Sequence, residues 1–449
     1  MKFSTLSKLT LAPFAGALLL LHPASVQAGG EGFSKDTLSD SSKESFDSKS
    51  SDLGLGKFSS NPFHVSVTVR GGYDDNVNLS SIDRRESFFT NAALGVTYDF
   101  GSPRTRLNLN AGVSGTYYWD DDDVFSDDEF GDDDDSDDFA LNAYLGFSIT
   151  HRATPRLTLA ASVSLAYLDR PGFDTFNSSF LNVERRSQNY FQTLDKFTVT
   201  YAWAPRFSTA TSYTFGYVDF DDNLTSRYED RFEHTFGNEF RFLLLPTTTL
   251  VGEYRLGIID YLHQDFRNSM SHFFLAGVDH SFSPRFNISA RAGVEVRDFD
   301  IDDDPEANAI FGDDEDGTSV APYAEATLTY AIAQSTSLSW TNRFALEQPH
   351  VPDALERQTF RTALSLRHNF TARISAALNA AYQHDDYDET FSLAGFEEDA
   401  FDVALSARYA INRNFAFDVG YQHTEVISDE DLFREFSRNQ VYAGITFTW

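Results

Sequence analysis

Apolar and polar residues alternate with a period of two through most of this chain, from about Pro62 to its last residue. Between Arg104 and Trp119 the odd positions read Thr105, Leu107, Leu109, Ala111, Val113, Gly115, Tyr117 and Trp119. The even positions read Arg104, Arg106, Asn108, Asn110, Gly112, Ser114, Thr116 and Tyr118. Side chains that point alternately to two sides are the mark of a β-strand, so one face here is apolar and the other wet. Residues 285–297, 359–370 and 401–411 repeat the pattern.

Two kinds of connection separate these runs. Eight are short, around Gly101-Ser102-Pro103, Ala153-Thr154-Pro155, Ala204-Pro205, Pro246-Thr247, Ser283-Pro284, Gln334-Ser335, Thr371-Ala372 and Asn412-Arg413. Proline presets φ for a tight turn and cannot sit inside a central strand, so these are hairpin reversals. Nine are longer and polar, near residues 74–87, 120–138, 170–189, 219–231, 261–270, 298–318, 348–357, 385–399 and 427–437. Turns and loops together join eighteen strands, an even number that leaves both ends on one side.

Strands of 10–14 residues in this number would need a very large core in a two-sheet sandwich. They match instead the roughly 9–11 residues that cross a bilayer when tilted. Aromatic residues gather at strand ends (Tyr98, Phe100, Trp119, Tyr201, Tyr330, Tyr409), where interfacial girdles belong. The expected fold is all-β: a transmembrane antiparallel up-and-down β-barrel of about 18 strands (16–18), with short periplasmic turns and long acidic extracellular loops. It is expected to span residues 61–449.

The N-terminus supplies a compartment. Lys2 and Lys8 precede the apolar run Leu11–Leu21, and Val26-Gln27-Ala28 is a small-residue cleavage site, which together read as a signal peptide over 1–28. Residues 29–60 hold ten serines and little aliphatic content, and read as a disordered periplasmic linker. After residue 28 no run approaches the roughly 18–20 apolar residues of a spanning helix. The cell outer membrane is therefore the expected location.

Composition sharpens this. There are 43 Phe and 20 Tyr but only 2 Met, and no Cys, which removes a lipidated cysteine, a disulfide framework and thiolate metal sites. The net charge of −33 argues against nucleic acid. Much of it is local: residues 120–138 carry 13 acids and no base, and residues 298–316 carry 10 acids and no base.

No motif for hydrolysis, phosphate cradling or zinc catalysis occurs, so neither an enzyme nor a cofactor is expected. The wet face carries the candidate chemistry. Arg104, Arg106, Arg241, Arg255, Arg291, Arg361, Arg367, Arg373 and Arg408, with Glu239 and Glu253, are the expected pore-lining residues. Bases on that face exceed acids, which favours a constriction attractive to anions. A structural ion-pair web without a continuous channel is the alternative. Asp121, Asp122, Asp133, Asp134, Asp303 and Asp314 are oxygen donors in the acidic loops, able to hold a divalent cation weakly or to bridge to lipopolysaccharide phosphates. They lack the spaced order of a defined calcium loop, and solvated surface is the simpler reading.

The segment 65–79, from Val65 through Gly71-Gly72-Tyr73-Asp74-Asp75-Asn76-Val77 to Leu79, resembles the first strand of the Putative β-barrel porin 2 family, with Tyr73–Val77 the motif-like part. The resemblance extends loosely over residues 62–449. It implies an outer-membrane β-barrel and a role beside exopolysaccharide synthesis and export components. The long acidic loops depart from that family. The final strand, Val441 to Trp449 with Phe447 two places before the end, resembles the signal read by barrel-assembly machinery. Two functions remain open at this point: a porin-like channel for small solutes or a polysaccharide conduit, and a non-conducting surface barrel whose acidic loops bind cations or partners.

Overall fold

The computed structural model describes residues 62–119, 139–169, 189–300, 317–349, 354–387, 395–429 and 434–449. The leader, the serine-rich linker and the six aspartates expected to bind cations lie outside the described residues.

Eighteen strands form. They are β1 (Phe63–Asp74), β2 (Ser87–Gly101), β3 (Thr105–Tyr118), β4 (Phe139–Arg152), β5 (Leu157–Leu168) and β6 (Tyr190–Ala204). Next come β7 (Phe207–Phe220), β8 (Arg231–Leu245), β9 (Thr248–Tyr261), β10 (Ser269–Ser283), β11 (Phe286–Phe299) and β12 (Thr318–Ala333). The last six are β13 (Thr336–Glu347), β14 (Arg357–Asn369), β15 (Ile374–Tyr387), β16 (Phe396–Ala410), β17 (Phe415–Ser428) and β18 (Phe436–Thr448). Each pairs antiparallel with its sequence neighbours, and β18 returns to β1 from Ser66↔Thr448 to Asp74↔Gln440. The result is a closed up-and-down barrel without a free edge, which is how a sheet satisfies every backbone group in lipid. No helix among the described residues is long and apolar enough to cross a membrane.

The alternation in the sequence becomes two surfaces. Outward positions are apolar and open, including Val69, Phe88, Leu94, Phe240, Phe274, Trp340, Leu405 and Ile445. Rings meet along both rims. Tyr201–Trp203, Phe282–Phe286 and Phe415–Phe447 lie at the end with the short turns; Tyr73–Phe88, Tyr117–Trp119 and Tyr217–Phe232 lie at the other. These are two interfacial girdles with a lipid-facing band between them.

The short turns come in two forms. Between β2 and β3, β4 and β5, β14 and β15, and β16 and β17, an oxygen of Ser102, Thr154, Thr371 or Asn412 accepts from the backbone N–H groups two and three residues on. Such side-chain acceptors close a turn where ladder bonds have run out. The turns from β6 to β13 are tighter and take a register shift instead, at Ala202/Ala204, Leu243/Leu245, Ser281/Ser283 and Ala331/Ala333.

Candidate functional site

The inward face divides into two unlike walls. On β8 to β15 it carries a continuous web of ion pairs. Arg241 donates to Glu239 at 2.6 Å and also to Asp279. Arg291 donates to Asp279 at 2.9 Å. Arg255 bonds Glu253 at 2.5 Å, reaches three strands along the wall to Glu325 at 2.8 Å, and donates to the Tyr323 hydroxyl at 2.9 Å. Higher up, Arg297 pairs with Glu295 at 2.8 Å and Arg357 with Asp385 at 2.8 Å, all four side chains nearly enclosed. Arg343 joins Glu347 at 3.2 Å.

Three of these pairs have one local origin. Glu239/Arg241, Glu253/Arg255 and Glu295/Arg297 are each two residues apart, and residues i and i+2 of a strand share a face. Small residues let the long side chains lie flat. A Cβ at Gly277 would stand 2.5 Å from Cδ of Arg291, so only glycine admits that arginine against the wall. The guanidinium and carboxylate charges thereby cancel pair by pair, as buried or half-buried ions must.

The wall from β2 to β7 is different. Its inward groups are amides and hydroxyls: Asn91, Asn108, Asn110, Thr116, Asn142, Ser148, Ser162 and Ser164 among them. Tyr144 turns inward and lies over Gly112, where a Cβ would meet its ring at 2.3 Å. Inward charge on this wall is limited to Asp99, Arg106, Arg152 and Lys196, the last being the only lysine among the described residues. A carboxylate also stands on the outward face, mid-strand in β6. Asp195 points to the lipid side between Val163 and Phe215, its carboxylate accepting from the Thr193 hydroxyl at 2.5 Å.

The motif Tyr73–Val77 closes the barrel. Asp74, wholly buried, accepts from Arg438 and from Gln440 at 2.7 Å. Asp75 accepts from the Asn439 backbone and side chain at 2.6 and 2.7 Å, and Asn76 donates to the Ser437 carbonyl at 2.9 Å. Three consecutive polar residues thus bind four consecutive residues of the last strand, Ser437 to Gln440. Leu79 follows at φ 53°, a strained conformation for leucine, packed on Ala400, Val426 and Phe436. Nearby, the inward rings of Phe89 and Tyr118 pack with Val77 and Tyr442, narrowing the lumen at the end opposite the short turns.

A second knot joins three connections at the end opposite the short turns. A short helix α1 (Asn223–Glu229) is capped by Asp222, which accepts from the Thr225 N–H at 2.7 Å. Arg267 is fully buried, lies over the Tyr261 ring, and donates to the Tyr228 and Pro349 carbonyls. Asp230, just past α1, has its carboxyl pushed up by burial despite bonds from Ser226 and the Phe220 N–H.

Of the residues expected to line a pore, Arg241, Arg255, Arg291, Glu239 and Glu253 come together in the web. Arg361 faces inward directly beside Arg343. Arg106, Arg367 and Arg408 face inward close to the short-turn end of their strands. Arg104 and Arg373 stand in exposed turns, where strand alternation no longer fixes a direction. Phe447 packs on Phe415, and Trp449 exchanges backbone bonds with Val65 at the seam. Asp279 and Asp385 were not singled out by sequence, and Glu295 and Glu325 were expected only as charges on the wet face, without their partners. The Glu-x-Arg spacing could have found the Glu295 pair, whereas Arg255–Glu325 needs the register of four strands. No group of three or more metal-ligating side chains converges among the described residues.

The arginines at the turns form a further group. Within the eight turns and three strand residues on either side, ten arginines face a single carboxylate, Asp99. Arg104, Arg156, Arg206, Arg285, Arg373 and Arg413 sit in the turns and are exposed. Arg106, Arg152, Arg367 and Arg408 form a second tier on the inward face.

A family model and several solved structures are similar to this chain. Residues 307–448 match the family model described as Putative beta-barrel porin 2. No curated protein matches the sequence. Among solved structures, Pseudomonas aeruginosa OccK9 (OpdG) aligns at 12% identity and TM-score 0.44, covering 86% of this chain and 98% of that one. Acinetobacter baumannii OccAB3 aligns at 10% identity and TM-score 0.44, covering 86% and 99%. Pseudomonas aeruginosa OpdK, solved with vanillate, aligns at 13% identity and TM-score 0.42, also covering 86% and 99%. With a closed eighteen-strand wall, two aromatic girdles and a C-terminal third that matches the Putative beta-barrel porin 2 model, the chain is a porin-like β-barrel of the outer membrane.

Proposed function

We propose that the barrel is a water-filled channel for small hydrophilic solutes, one side of its lumen lined by neutral hydrogen-bonding groups and the other by paired charges. The observation that carries this reading is the inward face itself, which holds dozens of polar side chains where a closed core would hold aliphatic ones. Eighteen strands leave room for water along the axis unless something folds inward. Charges set against a neutral wall let a dipolar solute orient as it passes, which filters by shape and charge separation more than by net charge.

Export through a leader over 1–28, a linker over 29–60, and insertion by assembly machinery reading Phe447 and Trp449 complete the proposal. Exopolysaccharide components as partners rest on the family resemblance. The test is single-channel recording of the refolded mature protein in a planar bilayer. Steady conductance steps with a reversal potential near zero under a salt gradient are expected, because the web is self-neutralising. A folded, heat-modifiable barrel that passes no current would overturn the reading.

A further inference from the structure

Three of the short turns repeat one sequence pattern. Residues 151–156 (HRATPR), 280–285 (HSFSPR) and 368–373 (HNFTAR) each place an arginine five positions after a histidine. The histidine is outward in every case, in line with Ile149, Val278 and Leu366 on the lipid side of its strand. It stands opposite the first residue of the preceding strand, and that residue is a threonine each time. Thr105 bonds Nδ1 of His151 at 2.9 Å, and Thr248 and Thr336 bond Nδ1 of His280 and His368 at 2.8 Å.

Four other strands carry Tyr98, Tyr201, Tyr330 and Tyr409 at the same register position, which marks it as part of the girdle at the short-turn end. An imidazole there keeps an aromatic ring at the interface and adds a second ring nitrogen. The Nε2 of all three histidines has no partner among the described residues. With the threonine hydroxyl donating to Nδ1, Nε2 carries the ring proton and donates to whatever lies beyond the wall. Two of the rings are steadied edge-on by Phe282 and Phe370, at 4.4 and 4.5 Å. Arg156, Arg285 and Arg373 are exposed, with no ion pair among the described residues. Each is held at the rim by its carbonyl, which accepts from the N–H of Ala202, Ala331 or Ala410 on the next strand at 2.8 Å.

We propose that these three turns are docking sites for the headgroup of an anionic phospholipid, its phosphate shared between the arginine guanidinium and the histidine Nε2–H. One layer past an aromatic girdle is the depth at which a bilayer carries its phosphates. A guanidinium beside a neutral N–H donor suits the two free oxygens of a phosphodiester. The surrounding charge favours an anionic lipid, since ten arginines at this end face only Asp99. A solute in the lumen does not reach the imidazoles, which lie on the other side of the wall. A folded acidic partner does not cover them together. The turns β4–β5, β10–β11 and β14–β15 are spread six, four and eight strands apart round a closed sheet of eighteen. A ring of surrounding lipid meets all three. The sites are outside the lumen and stand whether or not the barrel conducts.

The test is native mass spectrometry of the refolded mature barrel in neutral detergent, titrated with phosphatidylglycerol or phosphatidylcholine. Retention of up to three phosphatidylglycerol molecules is expected, one for each histidine–arginine turn, with phosphatidylcholine lost at the same activation energy. His280→Phe with Arg285→Gln should reduce the maximum to two, and adding His368→Phe with Arg373→Gln should reduce it to one. The phenylalanine restores what Phe242 provides at the same place on β8, so heat-modifiable mobility should be unchanged. Arg206→Gln removes an exposed turn arginine that follows Tyr201 by five places instead of a histidine, and should leave three retained. Equal retention of phosphatidylcholine would overturn the anionic headgroup. Three lipids retained by both paired variants would overturn the sites. A loss with Arg206→Gln as large as with the paired changes would show diffuse charge in their place, and would overturn them too.

Discussion

The wall from β2 to β7 and the wall from β8 to β15 are built from the same strand geometry, yet they solve the problem of a wet interior differently. The first uses short neutral groups that water can satisfy one at a time. The second uses long charged groups that satisfy one another: Arg241 with Glu239 and Asp279, Arg255 with Glu253 and Glu325, Arg357 with Asp385. A neutral wall tolerates substitution, because each group acts alone. A charged web does not, because removing one member leaves a neighbour without its counter-ion. The tight, register-shifted turns span much of the charged side (β6 to β13), and the longer capped turns flank the neutral one.

The comparison can be broken most forcefully at Asp385. Asp385→Ala takes from the enclosed Arg357 the nearer of its two carboxylates, leaving Glu347 at 3.8 Å, and should cost about 3 kcal/mol in urea unfolding followed by gel mobility of the unheated protein. Asn110→Ala on the neutral wall should cost under about 1 kcal/mol in the same assay. Equal losses would mean that the walls do not differ in the way described. Asp195→Leu should stabilise by about 1–2 kcal/mol, since it removes a carboxylate from the lipid-facing band. A loss there would reveal a protein contact on that face. For selectivity, Glu253→Gln combined with Arg255→Gln should leave the reversal potential almost unmoved, because a pair is removed. Ser162→Asp, which adds a negative charge directly opposite Lys196, should shift it toward cations by about twofold in permeability ratio. The smallest effect expected is from Lys196→Met alone, a shift in the same direction and under about twofold.

Much of this was legible in the sequence and some was not, for physical reasons. Alternation, turn prolines and aromatic strand ends specify strand number, sidedness and the two rims, because each is a local property of a pleated chain in a bilayer. Which arginine meets which acid is not local. Arg255 reaches Glu325 only because four strands are in a particular register, and counting bases against acids on the wet face cannot see that cancellation. An anion-attracting constriction was expected from that count; in the structure five of the counted residues neutralise one another in the web, and Arg106 stands exposed toward the short-turn end. Parity also carried Arg104 and Arg373 onto the wall when both lie in turns, where the period of two has ended. The residues Tyr73–Val77 stood out only as a family mark, and their bonds to the last strand became visible once that strand was beside them.

That seam has a consequence for how the molecule comes to exist. The bonds from Asp74 and Asp75 to Arg438 and Asn439 join residues 364 positions apart. Every other strand pairing joins sequence neighbours and can form as the chain is delivered. This one waits for nearly the whole polypeptide, and the loop entropy it overcomes is the largest in the fold. Until it forms, the sheet has two raw edges, each able to pair with the wrong strand or with another copy. A variant such as Arg438→Gln would therefore be felt less in the finished barrel's architecture than in time, as a longer interval spent open and a larger fraction lost to aggregation before the circle closes.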